Sequence, residues 1–170
     1  MMDIKSAIYK LIETMDVAFD LEWHRVWNYN GASKTINGKM YILEIEDCVV
    51  SNFKIGNARF GIYNDQTKQV EYQLSSVKNP FIVLAGIGQA LYKKIKEDNY
   101  DVVYFIAADN VQKRMDVYLP MANRIAKSFG NIVPDIKLNS DELVTVVLKH
   151  GLSNNEEFME LLIAEIEHKV

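Results

Sequence analysis

The stretch from Asn79 to Ala108 constrains the fold of this chain more than any other. It opens with Asn79 and Pro80, which suit the start of a helix, because asparagine caps the first turn and proline needs no donor there. Apolar residues then recur at three- and four-residue spacing: Leu84, Ile87, Leu91 and Ile95. The stretch therefore predicts a helix with one apolar face, a short turn, and then a buried strand with the sequence VVYFIAA.

Two glycines in this stretch, Gly86 and Gly88, look at first like part of a glycine-rich phosphate loop. If they formed such a loop, only about Gln89 to Glu97 would be helical, and Pro80 to Leu84 would be an unexplained apolar loop. We therefore expect the helix to begin at the proline and to contain both glycines. Each glycine then costs about 1 kcal/mol relative to alanine, and we expect close packing on the sheet to be the reason for them.

The first half of the chain predicts one helix followed mainly by strands. Helical spacing covers Ile4 to Met15, and alternation predicts a strand over Asp16 to Trp27. Asn28 to Gly38 is rich in Asn, Gly, Ser and Thr and predicts a loop. A three-stranded antiparallel meander follows, with strands over Lys39 to Val50, Ala58 to Tyr63 and Gln69 to Ser76.

The second half continues with alternating helices and strands. Asp109 to Phe129 predicts a helix that kinks or breaks at Pro120. Strands follow over Asn131 to Lys137 and over Glu142 to Lys149, and the latter is apolar on both faces. This order predicts a mixed α+β fold, with a mostly antiparallel central sheet and helices on both faces.

An extra amphipathic helix is predicted at the C-terminus, over residues 152–168. Ser153 and Glu156 have the spacing of a capping box at its start. Its apolar residues cover more than one narrow stripe: Phe158, Met159, Leu161, Leu162, Ile163 and Ile166. The helix either covers the domain's own sheet or offers an apolar surface to a second subunit, which leaves a homo-oligomer open.

Length, charge and composition narrow the class of function. The 170 residues fit a single domain over residues 1–170, and the one cysteine, Cys48, excludes an internal disulfide. The net charge of −4 argues against nucleic acid as a partner. Charges scattered through residues 1–20 argue against a signal peptide, and no apolar run approaches ~20 residues, so we expect no membrane contact. The three histidines are far apart, which predicts no metal site.

Residues from Val70 to Gly130 resemble the GNAT fold of acyl-CoA N-acyltransferases, and in particular small bacteriophage-encoded proteins of that type. The resemblance covers about a third of the chain. It rests on the VEYQL and VVYFIAAD strands, and on Arg114, Tyr118 and Asn123-Arg124 ahead of Phe129-Gly130. It implies a GNAT-like central sheet, with the C-terminal helix as an addition, in a protein of the bacterial host cytoplasm or of the virion.

The resemblance also implies candidate site residues. In an active enzyme of this family, the loop after the fourth strand holds the acyl-CoA pyrophosphate, and a split between the fourth and fifth strands admits the pantetheine. Here that loop falls on five residues without glycine: Ser75, Ser76, Val77, Lys78 and Asn79. The family's general acid, which protonates the departing thiolate, falls on Tyr118, and the general base falls on Glu71.

Two functions stay open. A non-catalytic or degenerate GNAT-fold protein would bind a protein partner of the phage or of its bacterial host, with no cofactor. The glycine-free loop favours this function, because a tight nest for pyrophosphate needs glycine's conformations. An active N-acetyltransferase would instead move an acetyl group from acetyl-CoA to an amine. Trp27 and Tyr29, at the start of the predicted 28–38 loop, are candidates for a binding surface.

Overall fold

The structure is a computed structural model that describes residues 21–36, 38–71, 80–107, 122–123, 126–127 and 129–169. Its helices are α1 (Pro80–Glu97) and α2 (Glu156–Lys169), with a 3₁₀ turn over Leu152–Asn154 ahead of α2. Its strands are β1 (His24–Val26), β2 (Tyr29–Ile36), β3 (Lys39–Val50), β4 (Phe53–Asn64), β5 (Gln69–Glu71), β6 (Val102–Ala107), β7 (Gly130–Lys137) and β8 (Leu143–Lys149). The strands form one sheet in the order β1-β2-β3-β4-β6-β8-β7, with β5 paired to β4.

One parallel pair, β4 with β6, joins the two antiparallel parts of the described sheet. A parallel pair needs a crossover connection, and α1, which lies between β5 and β6 in the sequence, supplies it. The pairing covers three residues on each strand, Ile55–Asn57 with Val102–Tyr104. The backbone amide of Asp101 donates to Lys54 O at 2.9 Å and the amide of Lys54 donates to Asp101 Oδ2 at 2.8 Å, which fixes the start of the pair.

The two helices pack on opposite faces of the sheet. On the first face, three buried residues of α1 lie against alternate residues of β3 and β4; they are Ala90, Leu91 and Ile95. On the second face, three buried residues of α2 lie against β6 and β8; they are Phe158, Leu162 and Ile166. The expected α+β class, with a mostly antiparallel sheet and helices on both faces, is confirmed, and α2 covers the protein's own sheet.

The central helix and strand follow the sequence pattern. The helix α1 begins at Pro80 and contains Gly86 and Gly88, as predicted. Every residue of β6 from Val102 to Phe105 is buried, which confirms a strand covered on both faces. The strands β7 and β8 are confirmed too, and β7 carries an irregularity between Val133 and Ile136, around its proline.

Two predictions in the first half were wrong: one was of a loop and the other of where a strand begins. Asn28 to Gly38 is not a loop, because β2 pairs with β3 at eight positions and buries Asn30 and Ala32. Cross-strand pairing overrides the local preference of its Asn, Gly and Ser residues. The strand that was predicted to begin at Ala58 is β4, and it begins at Phe53. It follows a tight turn in which Ser51 and Asn52 both have positive φ.

The capping box predicted at Ser153 and Glu156 was also wrong. Asn155 caps α2, because the backbone amide of Phe158 donates to Asn155 Oδ1 at 3.1 Å. Ser153 lies two positions before this cap, within the 3₁₀ turn, and its Oγ accepts a hydrogen bond from Asn131 Nδ2 at 3.1 Å.

Several predicted elements fall outside the described residues. These are the helix over Ile4 to Met15, the first part of the strand over Asp16 to Trp27, and most of the helix over Asp109 to Phe129. The last part of that strand forms β1, and the described residues between 122 and 129 have helical backbone.

Replacing Gly56 with alanine tests the packing at the parallel pair. A Cβ at this position would lie 2.8 Å from Ile45 Cγ2 and 2.9 Å from Tyr100 Cε1, so the core would be overpacked. We expect a loss of about 1–3 kcal/mol in the free energy of unfolding, measured by urea denaturation. Gly31→Ala is the matched control, since its nearest neighbour, Leu43 O, lies at 3.9 Å, and equal losses would contradict the packing argument.

Candidate functional site

A row of directly paired residues crosses the sheet where β4 and β6 separate. Tyr29 of β2 lies opposite Glu46 of β3, and Glu46 lies opposite Asn57 of β4. Asn57 in turn lies opposite Tyr104 of β6. Because directly paired residues project to the same face, all four side chains lie on the face that α2 partly covers. We call Tyr29, Glu46, Asn57 and Tyr104 the polar row.

The polar row marks the last paired position of β4 and β6. Beyond Asn57 and Tyr104 the two strands have no register partners in each other. On the same edge, β4 pairs again only from Ile62 onward, with β5. Between these points, residues 58–61 of β4 have no partner on that edge among the described strands. Within the described residues, β4 and β6 therefore separate from each other immediately after the polar row.

Two members of the polar row carry buried polar atoms without a hydrogen bond to any described residue. Tyr104 is 1% exposed and Asn57 is 8% exposed. Neither the Tyr104 hydroxyl nor Asn57 Oδ1 has a hydrogen-bond partner within the part of the chain that the structure describes. A buried polar group without a partner costs about 1–3 kcal/mol, so a donor from outside the described residues is expected at these two atoms.

The environment of Tyr104 keeps its hydroxyl protonated. Burial is the main cause that raises its pKa, and the Cys48 thiol and the carboxylates of Glu46 and Glu165 raise it further. Arg59 acts in the opposite direction. The hydroxyl therefore stays neutral at physiological pH and can both donate and accept a hydrogen bond.

The carboxylate of Glu46 has two cationic neighbours, and both are distant. Arg59 approaches one oxygen at 3.8 Å and Lys169, at the end of α2, approaches the other at 3.9 Å. Both distances exceed a hydrogen bond. Arg59 lies closer to Glu44, at 3.4 Å, and its guanidinium lies 5.7 Å from the ring centroid of Tyr29. The carboxylate of Glu46 is thus a partly shielded hydrogen-bond acceptor. It lies beside the two buried acceptors of Asn57 and Tyr104, which no described residue pairs with.

On the opposite face, a second polar cluster is fully connected. The Tyr100 hydroxyl is buried and donates to Asp47, and Asn30 Nδ2 donates to that hydroxyl at 3.0 Å. Arg25 completes the cluster with a 2.7 Å ion pair to Asp47. Burial and then the hydrogen bond to Asp47 raise the pKa of Tyr100. This cluster ties β1, β2 and β3 to the turn after α1, so its role is structural.

The hairpin formed by β1 and β2 exposes large apolar side chains. Val26 is 64% exposed, Trp27 89% and Tyr29 40%. Trp27 has a φ of 59°, in the left-handed region that favours glycine, and it is the first of the two turn residues. We call Val26, Trp27 and Tyr29 the aromatic hairpin; its last residue also belongs to the polar row.

The sequence-predicted site residues are only partly within the described chain. Glu71 is the last residue of β5, where its backbone lies opposite Ile62 of β4. Tyr118 and the loop from Ser75 to Asn79 lie outside the described residues. The predicted strand at Gln69 to Ser76 is described only from Gln69 to Glu71, as β5, and among the described strands β6 pairs in parallel with β4.

Sequence reasoning missed the polar row, although part of its signal was visible. Glu44 and Glu46 alternate with apolar neighbours on β3, which placed both on one face. Asn57 falls outside the predicted strand, which begins one residue later, at Ala58. Tyr104 lies within an apolar run, so its ring is expected to lie in the core. Only its hydroxyl, which normally needs a hydrogen-bond partner when buried, indicates a polar site there.

Comparison with known proteins adds no relative: no protein-family model and no curated protein matches this sequence. Among the described residues, no group of three or more His, Cys, Asp or Glu side chains could hold a metal ion. None of the described helices is long and apolar enough to cross a membrane.

The two buried tyrosines should respond oppositely to removal of the hydroxyl. Tyr100→Phe removes the hydrogen bonds that the buried hydroxyl makes with Asp47 and Asn30, and leaves these two side chains only their long 3.5 Å contact with each other and the ion pair from Arg25, so we expect a loss of about 1–3 kcal/mol in the free energy of unfolding. Tyr104→Phe removes an unpaired hydroxyl, so we expect no loss or a gain. Urea denaturation at neutral pH measures both, and a clear loss in Tyr104→Phe would show that its hydroxyl has a partner in the folded protein.

Proposed function

We propose that this is a GNAT-fold protein of the bacteriophage type that acts by binding a protein partner rather than by acyl transfer. The partner belongs to the phage or to its bacterial host, and the protein works in the host cytoplasm or in the virion. The aromatic hairpin is the observation that carries this proposal, because it presents three large apolar side chains at the edge of the sheet.

The backbone of Trp27 argues for a binding role. A bulky residue in the left-handed region costs about 1–2 kcal/mol, and glycine would avoid that cost. With 89% of its surface exposed, Trp27 recovers little of this cost through packing. A strained, exposed tryptophan is therefore poorly explained by stability and well explained by contact with a partner.

The hairpin is also held rigidly. The ion pair from Arg25 to Asp47 and the 2.7 Å hydrogen bond from the Asp47 amide to Asn28 O attach it to β3. Asn30, buried beneath it, is hydrogen-bonded to Tyr100. A preformed surface binds with a smaller loss of conformational entropy, which supports its use as an interface.

Trp27→Gly tests the proposal directly. We expect it to raise the free energy of unfolding by about 1 kcal/mol, because the strain is relieved, and to abolish partner binding. The tagged protein is used to capture proteins from bacterial lysate, and each captured protein is quantified against the wild type by mass spectrometry.

Lys68→Gly is the matched control for this experiment. Lys68 is also exposed, with a φ of 60°, in the turn between β4 and β5, so its replacement makes the same backbone change without removing an aromatic side chain. The control should bind the same proteins as the wild type. If Trp27→Gly also captured every protein that the wild type captures, the hairpin would not be the interface.

The second candidate function is N-acetyl transfer, and the split between β4 and β6 favours it. In the GNAT family such a split admits the pantetheine of acyl-CoA, and here two unpaired polar atoms lie at its start. Two features weigh against it. The strand β5 occupies the edge of β4 from Ile62 onward, and the predicted pyrophosphate loop, Ser75 to Asn79, has no glycine.

If this second function holds, the roles of the residues follow from the family. The amine nitrogen attacks the thioester carbonyl carbon of acetyl-CoA, so that a C–N bond forms and the C–S bond breaks. Glu71 accepts the proton of the amine, and Tyr118 gives its proton to the departing thiolate. The products are the acetylated amine and CoA.

Acetyl-CoA distinguishes the two functions. Under the proposed function, we expect millimolar acetyl-CoA to leave the melting temperature unchanged, because only a ligand that binds the folded state raises it. Thermal unfolding followed by circular dichroism measures the shift, with free adenosine diphosphate as the control nucleotide. A clear rise, together with CoA release that disappears in Tyr118→Phe, would establish acyl transfer instead.

A further inference from the structure

The polar row contains three hydrogen-bond acceptors that the described residues leave without a direct donor. Asn57 Oδ1 and the Tyr104 oxygen have no partner within the described ranges, and the two cations near Glu46 stay at 3.8 and 3.9 Å. These three residues are consecutive in register across β3, β4 and β6. Buried polar atoms are normally hydrogen-bonded, so adjacent acceptors on one sheet face favour a donor-rich group that completes them.

The charged side chains around the polar row indicate whether the donor-rich group is a cation or an anion. Three carboxylates, from Glu44, Glu46 and Glu165, face two cations, Arg59 and Lys169. The excess of negative charge disfavours an anion and favours a cation.

We propose that Glu46, Asn57 and Tyr104 bind a primary ammonium group, and that its source is a lysine side chain of the protein partner. An ammonium group has three donors and no acceptor, which matches three acceptors in a row. The charge of the ammonium complements the carboxylate of Glu46. The choice of source rests on the proposed function, whereas the ammonium site itself stands on the geometry of the row.

The gradient of exposure along the row fits a lysine side chain. Tyr29, at one end, is 40% exposed, and Tyr104, at the other end, is 1% exposed. The aliphatic stem of a lysine can lie along the exposed ring while its charged end reaches the buried acceptors. Because Tyr29 also belongs to the aromatic hairpin, a partner docked on the hairpin has its contact surface next to the row.

A small lysine derivative tests the site. The probe is N-acetyl-lysine N-methylamide, titrated into ¹⁵N-labelled protein at constant ionic strength. Its Nε-trimethyl analogue is the matched control, because it keeps the charge and the stem but has no N–H donor. We expect the probe to shift the amide resonances of Glu46, Asn57 and Tyr104, and the analogue to bind at least about tenfold more weakly. Equal binding of both compounds would overturn the proposal.

Two variants and a control locate the effect. Tyr104→Phe and Glu46→Gln should each weaken the probe by about tenfold or more, because each removes part of the acceptor set. Tyr63→Phe makes the same change on β4, outside the row, and should bind as the wild type does. If Tyr104→Phe binds the probe unchanged, or if the wild type shows no shift, the row holds ordered water only and the proposal is wrong.

The hairpin variant separates this inference from the proposed function. Trp27→Gly should lose the protein partner and keep the lysine probe, since Trp27 is not part of the row. If the probe fails to bind the wild type while Trp27→Gly still loses the partner, the ammonium site is wrong and the partner function stands. If the probe binds but Trp27→Gly retains every captured protein, the site stands and the hairpin is not the interface.

Discussion

The short parallel pairing of β4 with β6 is the contact on which the rest of the fold depends. Three residues on each strand join the β1–β4 side of the sheet to the β6–β8–β7 side. At one end, Lys54 and Asp101 exchange hydrogen bonds, and Tyr100 packs against Gly56. At the other end the strands separate after Asn57. Each face of this junction is covered by a different helix, so its backbone is shielded from water. The polar row lies at the end where the two strands separate.

Two buried tyrosines show how differently the two faces use polar groups. Tyr100 donates to Asp47 and accepts from Asn30, so its buried hydroxyl is hydrogen-bonded on both sides. Tyr104, on β6 and on the other face, has a hydroxyl without a partner among the described residues, and Asn57 beside it has the same deficit. Folding alone accounts for the first cluster. In the second, the described residues supply no partner, and buried polar atoms of this kind in an otherwise well-packed sheet are where a binding function is to be sought.

Local sequence patterns predicted the elements whose own periodicity determines them. The apolar stripe of α1 and the uninterrupted apolar run of β6 needed no tertiary information. The strand β2 was not predictable in this way, because its polar residues become a strand only through pairing with β3. The polar row was less predictable still. It exists only when the registers of four strands are aligned, and a single-residue shift in one strand would turn Glu46 or Asn57 to the opposite face.

Strain and missing hydrogen bonds coincide on one connected surface of this protein. Trp27 holds an unfavourable backbone conformation at an exposed position, and Tyr104 and Asn57 hold buried polar atoms that no described residue pairs with. Tyr29 links them, since it follows the hairpin turn and begins the row. The backbone of Trp27 and the polar atoms of the row are unfavourable for different physical reasons. The needs of folding therefore do not explain why they occur together. A partner that packs against the tryptophan and completes the hydrogen bonds of the row would account for both costs with one binding event, which favours this surface, rather than the loop from Ser75 to Asn79, as the functional centre of the protein.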